Sequence, residues 1–98
     1  MREKELQQKM EKVLLHIVNF LEDSQESIYA NESPKDLLKV ANTNLKSVQI
    51  SGRLSNPELM VNMFLPTASL QEIAIDNGWG SQYIELSKHF DMAFDACR

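Results

Sequence analysis

The chain has 98 residues, 43% hydrophobic and 24% charged, with a net charge of −4 and one cysteine, Cys97. This is the size of one domain with a core of its own, so we expect a single domain over residues 1–98, and the composition excludes a disordered chain. A lone thiol forms no internal disulfide, which fits a reducing, cytoplasmic setting; Met1-Arg2-Glu3-Lys4-Glu5 does not read as a secretory signal, and no apolar run nears the ~20 residues of a membrane span.

Leu6, Met10, Val13, Leu14, Ile17, Leu21 and Ile28 recur at helical spacing. They predict one long amphipathic helix over roughly residues 2–31, about 45 Å at ~1.5 Å per residue. Ser33-Pro34-Lys35-Asp36 is a helix start, with Ser as N-cap, Pro in the first turn and an acid at the third position. Leu37, Leu38, Val40, Ala41, Leu45 and Val48 continue it as an apolar stripe, and Gly52 is a terminator. Asn56-Pro57-Glu58 is a second start of the same kind, opening a short apolar helix over Leu59–Leu65 that Pro66 ends. Ser69-Leu70-Gln71-Glu72 matches a capping box, in which Ser69 would cap a helix running to about Asp76. Gly78 closes that helix. Ser81 opens a last one, whose apolar face is traced by Trp79, Tyr83, Leu86, Phe90, Ala93, Phe94 and Cys97. The expected fold class is all-α, a small bundle of four to five helices with a long N-terminal helix.

Charge is unevenly placed. Residues 1–49 hold seven basic and eight acidic side chains, whereas residues 50–98 hold three and six. From Leu54 to Ser87 there is no Lys or Arg, while Glu58, Glu72, Asp76 and Glu85 all fall in that stretch. Such a surface suits a basic protein partner rather than nucleic acid, whose phosphates demand cations.

No catalytic or metal-binding set is visible, so we expect neither enzyme activity nor a cofactor. His16 and His89 lack a second ligand at helical spacing; His16 reads as a boundary position and His89 as a solvent-facing one. Glu22 and Asp23 are adjacent, so they point to different sides of a helix and form no carboxylate pair. Asp76-Asn77-Gly78 lacks the alternating acids of a calcium loop and reads as a turn. Met60, Met63 and Met92 have the character of core filler. Trp79 admits two readings, a core plug or a glycine-flanked anchor for a partner.

Residues 69–83, Ser-Leu-Gln-Glu-Ile-Ala-Ile-Asp-Asn-Gly-Trp-Gly-Ser-Gln-Tyr, resemble the first helix-turn-helix of arabinose-regulator-type transcription factors. The resemblance implies that Ala74 and Gly78 carry the packing and turn, and that Ser81 to Lys88 is a recognition helix. That helix offers Lys88 as its one cation and Glu85 against it, so duplex DNA is a poor match. The other reading of the same residues is a tight helical hairpin. The chain also resembles, in size, acidity and the style of Leu65-Pro66-Thr67-Ala68-Ser69-Leu70-Gln71-Glu72-Ile73 and Asn77-Gly78-Trp79, the immunity proteins of bacterial polymorphic toxin and contact-dependent inhibition systems. That resemblance implies a cytoplasmic inhibitor of one cognate toxin, often a nuclease. The expected partner surface comprises Glu72, Asp76, Asn77, Trp79, Tyr83 and Glu85. The competing functions are a helix-turn-helix regulator and a dimerising helical adaptor or chaperone, the latter favoured by the long first helix.

Overall fold

The computed structural model describes residues 2–66 and 68–98; Met1 and Thr67, the latter inside the quoted stretch 65–73, lie outside the described residues. The described residues form an all-α fold of five helices: α1 Arg2–Asp23, α2 Pro34–Ser51, α3 Pro57–Met63, α4 Ser69–Asp76 and α5 Gly80–Cys97. The molecule measures 42 × 22 × 21 Å. α1 is the spine, about 33 Å long at ~1.5 Å per residue. α2 and α5 pack along it, and α3 and α4 close the remaining side.

Burial follows the helical stripes. Met10, Val13, Leu14, Ile17, Val18 and Leu21 of α1 face Leu37, Ala41, Leu45 and Val48 of α2 and Tyr83, Leu86, Phe90, Ala93 and Cys97 of α5 within one core. The apolar stripe of α1 is occupied in this way, with Leu15 left exposed outside it. The aromatics form a connected array. Phe20 stacks on Trp79 at 4.7 Å, Trp79 meets Tyr83 edge-on, and Tyr83 leads through Phe64 to Phe90 and Phe94. Offset and edge contacts of this kind add to the gain from burial alone.

The start and stop signals around α2 behave as local chemistry dictates. The Ser33 hydroxyl accepts from the Asp36 amide, and Gly52 ends the helix at φ 75° with its N–H bonded to the Val48 carbonyl. The end of α4 is a Schellman cap. The Gly78 amide donates to the Ile75 carbonyl and the Trp79 amide to the Ala74 carbonyl. Gly78 takes φ 83°, the left-handed conformation this cap needs, although a Cβ there would meet no neighbour.

Four expectations are corrected. First, α1 stops at Asp23 rather than near residue 31, and Ile28 is 89% exposed. A 45 Å helix would exceed the long axis of the molecule. Glu22 and Asp23 also place negative charge at the negative end of the helix dipole, with no base in the last turn. Second, Ser69 does not cap α4. Ala68 holds the N-cap position, and the Ser69 hydroxyl accepts from the Asn31 and Glu32 amides instead. Third, Asn56 precedes α3 without a side-chain cap bond. Its amide donates to Asn44 Oδ1 at 3.0 Å. Fourth, α5 begins at Gly80, one residue before Ser81.

Asn44 is fully buried in α2. Its amide donates to the Val40 carbonyl at 2.9 Å, and its Oδ1 accepts from the Ser55 hydroxyl and the Asn56 amide. It therefore fastens the connection from α2 to α3. Asn44→Ala strands these partners and is expected to cost about 1–3 kcal/mol, read as a lower urea midpoint at unchanged slope.

Tyr83 presents the opposite case. Its ring is buried, and its hydroxyl has no hydrogen-bond partner among the described residues. Burial first, and Asp91 second, push the phenol up to about 12. The folded state thus favours the neutral form beyond its ordinary value of about 10. The resulting stability is complete below pH ~10 and is lost as pH rises through ~12. Tyr83→Phe removes an unpaired buried hydroxyl. We expect it to raise stability at neutral pH by about 1 kcal/mol and to flatten the alkaline limb of a stability–pH curve; a destabilised variant with an unchanged limb would refute this account.

Candidate functional site

The connection from α1 to α2, residues 24–33, lies along α4 and runs opposite to it. At one end Gln25 and Asn77 exchange two bonds: the Gln25 amide donates to Asn77 Oδ1 at 2.8 Å, and Asn77 Nδ2 donates to the Gln25 carbonyl at 2.9 Å. Next along, the Ser27 hydroxyl donates to Asp76 Oδ2. At the other end Asn31 and Glu32 donate their amides to Ser69 Oγ at 3.0 and 3.1 Å. Ser69, Glu72 and Asp76 are three and seven residues apart and share one face of α4. Since Ser69 and Asp76 bond the strap, half-buried Glu72 lies beneath its middle.

Two base-free runs meet here. Residues 13–34 contain no Lys or Arg but carry Glu22, Asp23, Glu26 and Glu32. Residues 54–87 contain none either and supply Glu72 and Asp76. The six carboxylates gather at one end of the molecule, and none of them forms an ion pair among the described residues. The nearest base in sequence is Lys35, at the start of α2 and three residues after Glu32. Lys35, Lys39 and Lys46 are exposed on α2 at four- and seven-residue spacing, one basic stripe on one helix face.

The residues expected at the partner surface thus divide. Glu72 and Asp76 belong to the acidic end, and Asn77 braces it. Trp79 and Tyr83 do not: both are 4% exposed and part of the core. The Schellman cap aims Trp79 inward, where its indole Nε1–H donates to Ser24 Oγ at 2.9 Å. Glu85 is also set apart. It lines an open groove of ≈ 770 Å³ between α1 and α5 with Glu5, Lys9, Lys12, His16 and His89, and it pairs with Lys88 at 3.4 Å. Its base stands one residue beyond the base-free run. The histidine positions are the reverse of expectation, His16 exposed and His89 half-buried.

The near balance of charge over residues 1–49 hides the local excess of acid at Glu22, Asp23, Glu26 and Glu32. A window from Leu14 to Pro34 reveals the same one-sided charge. No group of three or more His, Cys, Asp or Glu among the described residues is placed to hold a metal ion, and no described helix is long and apolar enough to cross a membrane. Burial first, then Glu3, raises the pKa of the buried Cys97 thiol, the opposite of what a nucleophile needs. Comparison with protein-family models, curated proteins and solved structures finds no match.

The strap is fastened to α4 largely through side chains. Asn77→Ala removes both bonds to Gln25. We expect faster amide exchange at Gln25, Tyr29, Ala30 and Asn31 for a global loss of about 1–2 kcal/mol; unchanged exchange at these amides would show that the strap is held by other means.

Proposed function

We propose that this protein is a protein-binding module whose acidic end engages a basic partner, and that it acts as an inhibitor or immunity protein for a toxin domain. The observation that carries this reading is the gathering of Glu22, Asp23, Glu26, Glu32, Glu72 and Asp76 with no ion pair to any of them among the described residues. Like charges do not collect on a folded surface to stabilise it. They raise the association rate of an oppositely charged partner, and the basic stripe on α2 adds a dipole that orients the encounter. A nuclease is a fitting target, since a site that holds nucleic acid is itself basic.

The helix-turn-helix layout of α4 and α5 is the basis of the second reading, a DNA-binding regulator. Charge disfavours it. The exposed side of α5 carries Glu85, Asp91 and Asp95 against Lys88, and Lys88 is paired with Glu85. Phosphate contacts demand the opposite balance.

The test is capture from nuclease-treated lysate on immobilised parent protein and on a Glu26→Lys/Glu72→Lys variant. We expect a basic protein on the parent that is released by salt and held at least tenfold more weakly by the variant, about 1.4 kcal/mol. Co-expression with the parent should relieve whatever toxicity that protein has alone. Equal recovery on both columns would defeat the acidic-end reading, and a salt-sensitive gel shift with duplex DNA would favour the regulator.

A further inference from the structure

We propose that the turn Ser27–Ile28–Tyr29–Ala30 is the docking anchor of this module, inserting Ile28 and Tyr29 into an apolar cleft rimmed by Lys and Arg on a partner protein. The inference rests on the acidic-end reading and adds to it the apolar centre of the interface.

Tyr29 stands apart from every other aromatic of the chain. The sequence has four Phe, one Trp and two Tyr. Phe20, Phe64, Trp79, Tyr83, Phe90 and Phe94 all join the stacked array, whereas Tyr29 makes no ring contact among the described residues. It is 70% exposed, beside Ile28 at 89%. Turn centres ordinarily hold Gly, Pro, Asn, Asp or Ser, for reasons of backbone conformation and local hydrogen bonding. Ile and Tyr serve neither purpose here.

Local geometry holds the pair out. The Ala30 amide donates to the Ser27 carbonyl and the Tyr29 amide to Ser27 Oγ, both at 3.2 Å. Ser27 is in turn bonded to Asp76, and the strap is tied to Asn77 and Ser69 on either side. An apolar pair on a fixed turn loses little freedom when it binds, which is how preorganised anchors gain affinity. An aromatic or aliphatic centre inside a polar rim is also the usual anatomy of an interface.

The rim decides the occupant. Glu26 and Glu32 flank the turn in sequence, and Glu72 and Asp76 line the α4 face beneath it. A second copy paired through this same turn would bring carboxylates against carboxylates, and an anionic lipid surface would be repelled. A cationic protein surface with an apolar cleft satisfies both features.

The probe is a synthetic leucine–lysine amphipathic peptide, with a serine–lysine peptide of equal length and charge as control, titrated into the isotope-labelled full chain. We expect amide shifts within residues 25–32 and 69–77. Ile28→Ser/Tyr29→Ser should bind the leucine–lysine peptide at least tenfold more weakly, with the serine–lysine peptide unaffected. Tyr29→Phe should retain binding. Both residues are exposed, so circular dichroism and melting temperature should match the parent. The basic protein captured by the parent should likewise be lost from the Ile28→Ser/Tyr29→Ser column. If Glu26→Lys/Glu72→Lys loses the peptide while Ile28→Ser/Tyr29→Ser keeps it, the acidic end stands and the anchor falls. Shifts confined to the α1–α5 groove, or to Ile50, which is exposed near the end of α2, overturn both. Dimerisation in sedimentation that Ile28→Ser/Tyr29→Ser abolishes makes the occupant a second copy, and overturns the basic partner.

Discussion

The contact on which the rest depends is Trp79 against Phe20 and Ser24. The rings stack at 4.7 Å and 6°, while the indole N–H bonds the Ser24 hydroxyl. That hydroxyl donates onward to the Phe20 carbonyl at 2.7 Å. One side chain thus joins the α4–α5 turn to the last turn of α1, at the point where α1 ends. The placement originates locally. Gly78 permits a Schellman cap, and the residue after it is turned back over the helix. A backbone requirement at a single glycine is in this way converted into a tertiary contact 55 residues apart in sequence.

That junction has an electrostatic consequence. By drawing residues 24–33 onto α4, it superimposes two stretches that each lack a base. The repulsion among exposed carboxylates is modest in water at physiological salt, where screening acts over ~8 Å. The aromatic core and the strap's hydrogen bonds outweigh it. What survives is a concentration of negative charge along the strap and α4, with Lys35, Lys39 and Lys46 set along α2. Proteins that depart from local preference tend to do so where they function. Two departures coincide here: acids at the C-terminal end of α1, and large apolar side chains at the centre of a turn.

The amphipathic helices and the ends of α2 are legible in the sequence because their causes are local. Ser33, Pro34 and Gly52 act within one turn of chain. The end of α1 is illegible because no glycine or proline marks Glu22-Asp23-Ser24-Gln25. The chain leaves the helix there for bonds to Asn77 and Asp76, 52 and 49 residues away. Ser69 misleads for the same reason. Ser-x-x-Glu is a good capping box on its own, yet the hydroxyl satisfies two strap amides instead. The acidic end was half legible. Glu72 and Asp76 stand out in a base-free run, but Glu26 and Glu32 become their neighbours only through the strap. Trp79 was ambiguous in sequence because glycines on both sides are compatible with a loop anchor as well as with a cap that buries it.

The residues that carry the helix-turn-helix resemblance have physical roles inside this fold. Each residue that carries it has a packing reason within this fold: Leu70 and Ala74 are fully buried, Gly78 closes a Schellman cap, and Trp79 fills the core. The pattern therefore accounts for a tight helical hairpin without any need for DNA. A recognition helix must also offer a cationic face, whereas α5 buries one face along its whole length and turns Glu85, Asp91 and Asp95 outward. The residues with no packing reason lie elsewhere. Ile28 and Tyr29 lie outside the core and the aromatic array, and the carboxylates around them form no ion pair among the described residues. Single exposed apolar side chains such as Ile50 and Met92 occur on other helices, whereas at this turn two adjacent ones stand together beside carboxylates, and that combination points to selection for something outside the molecule.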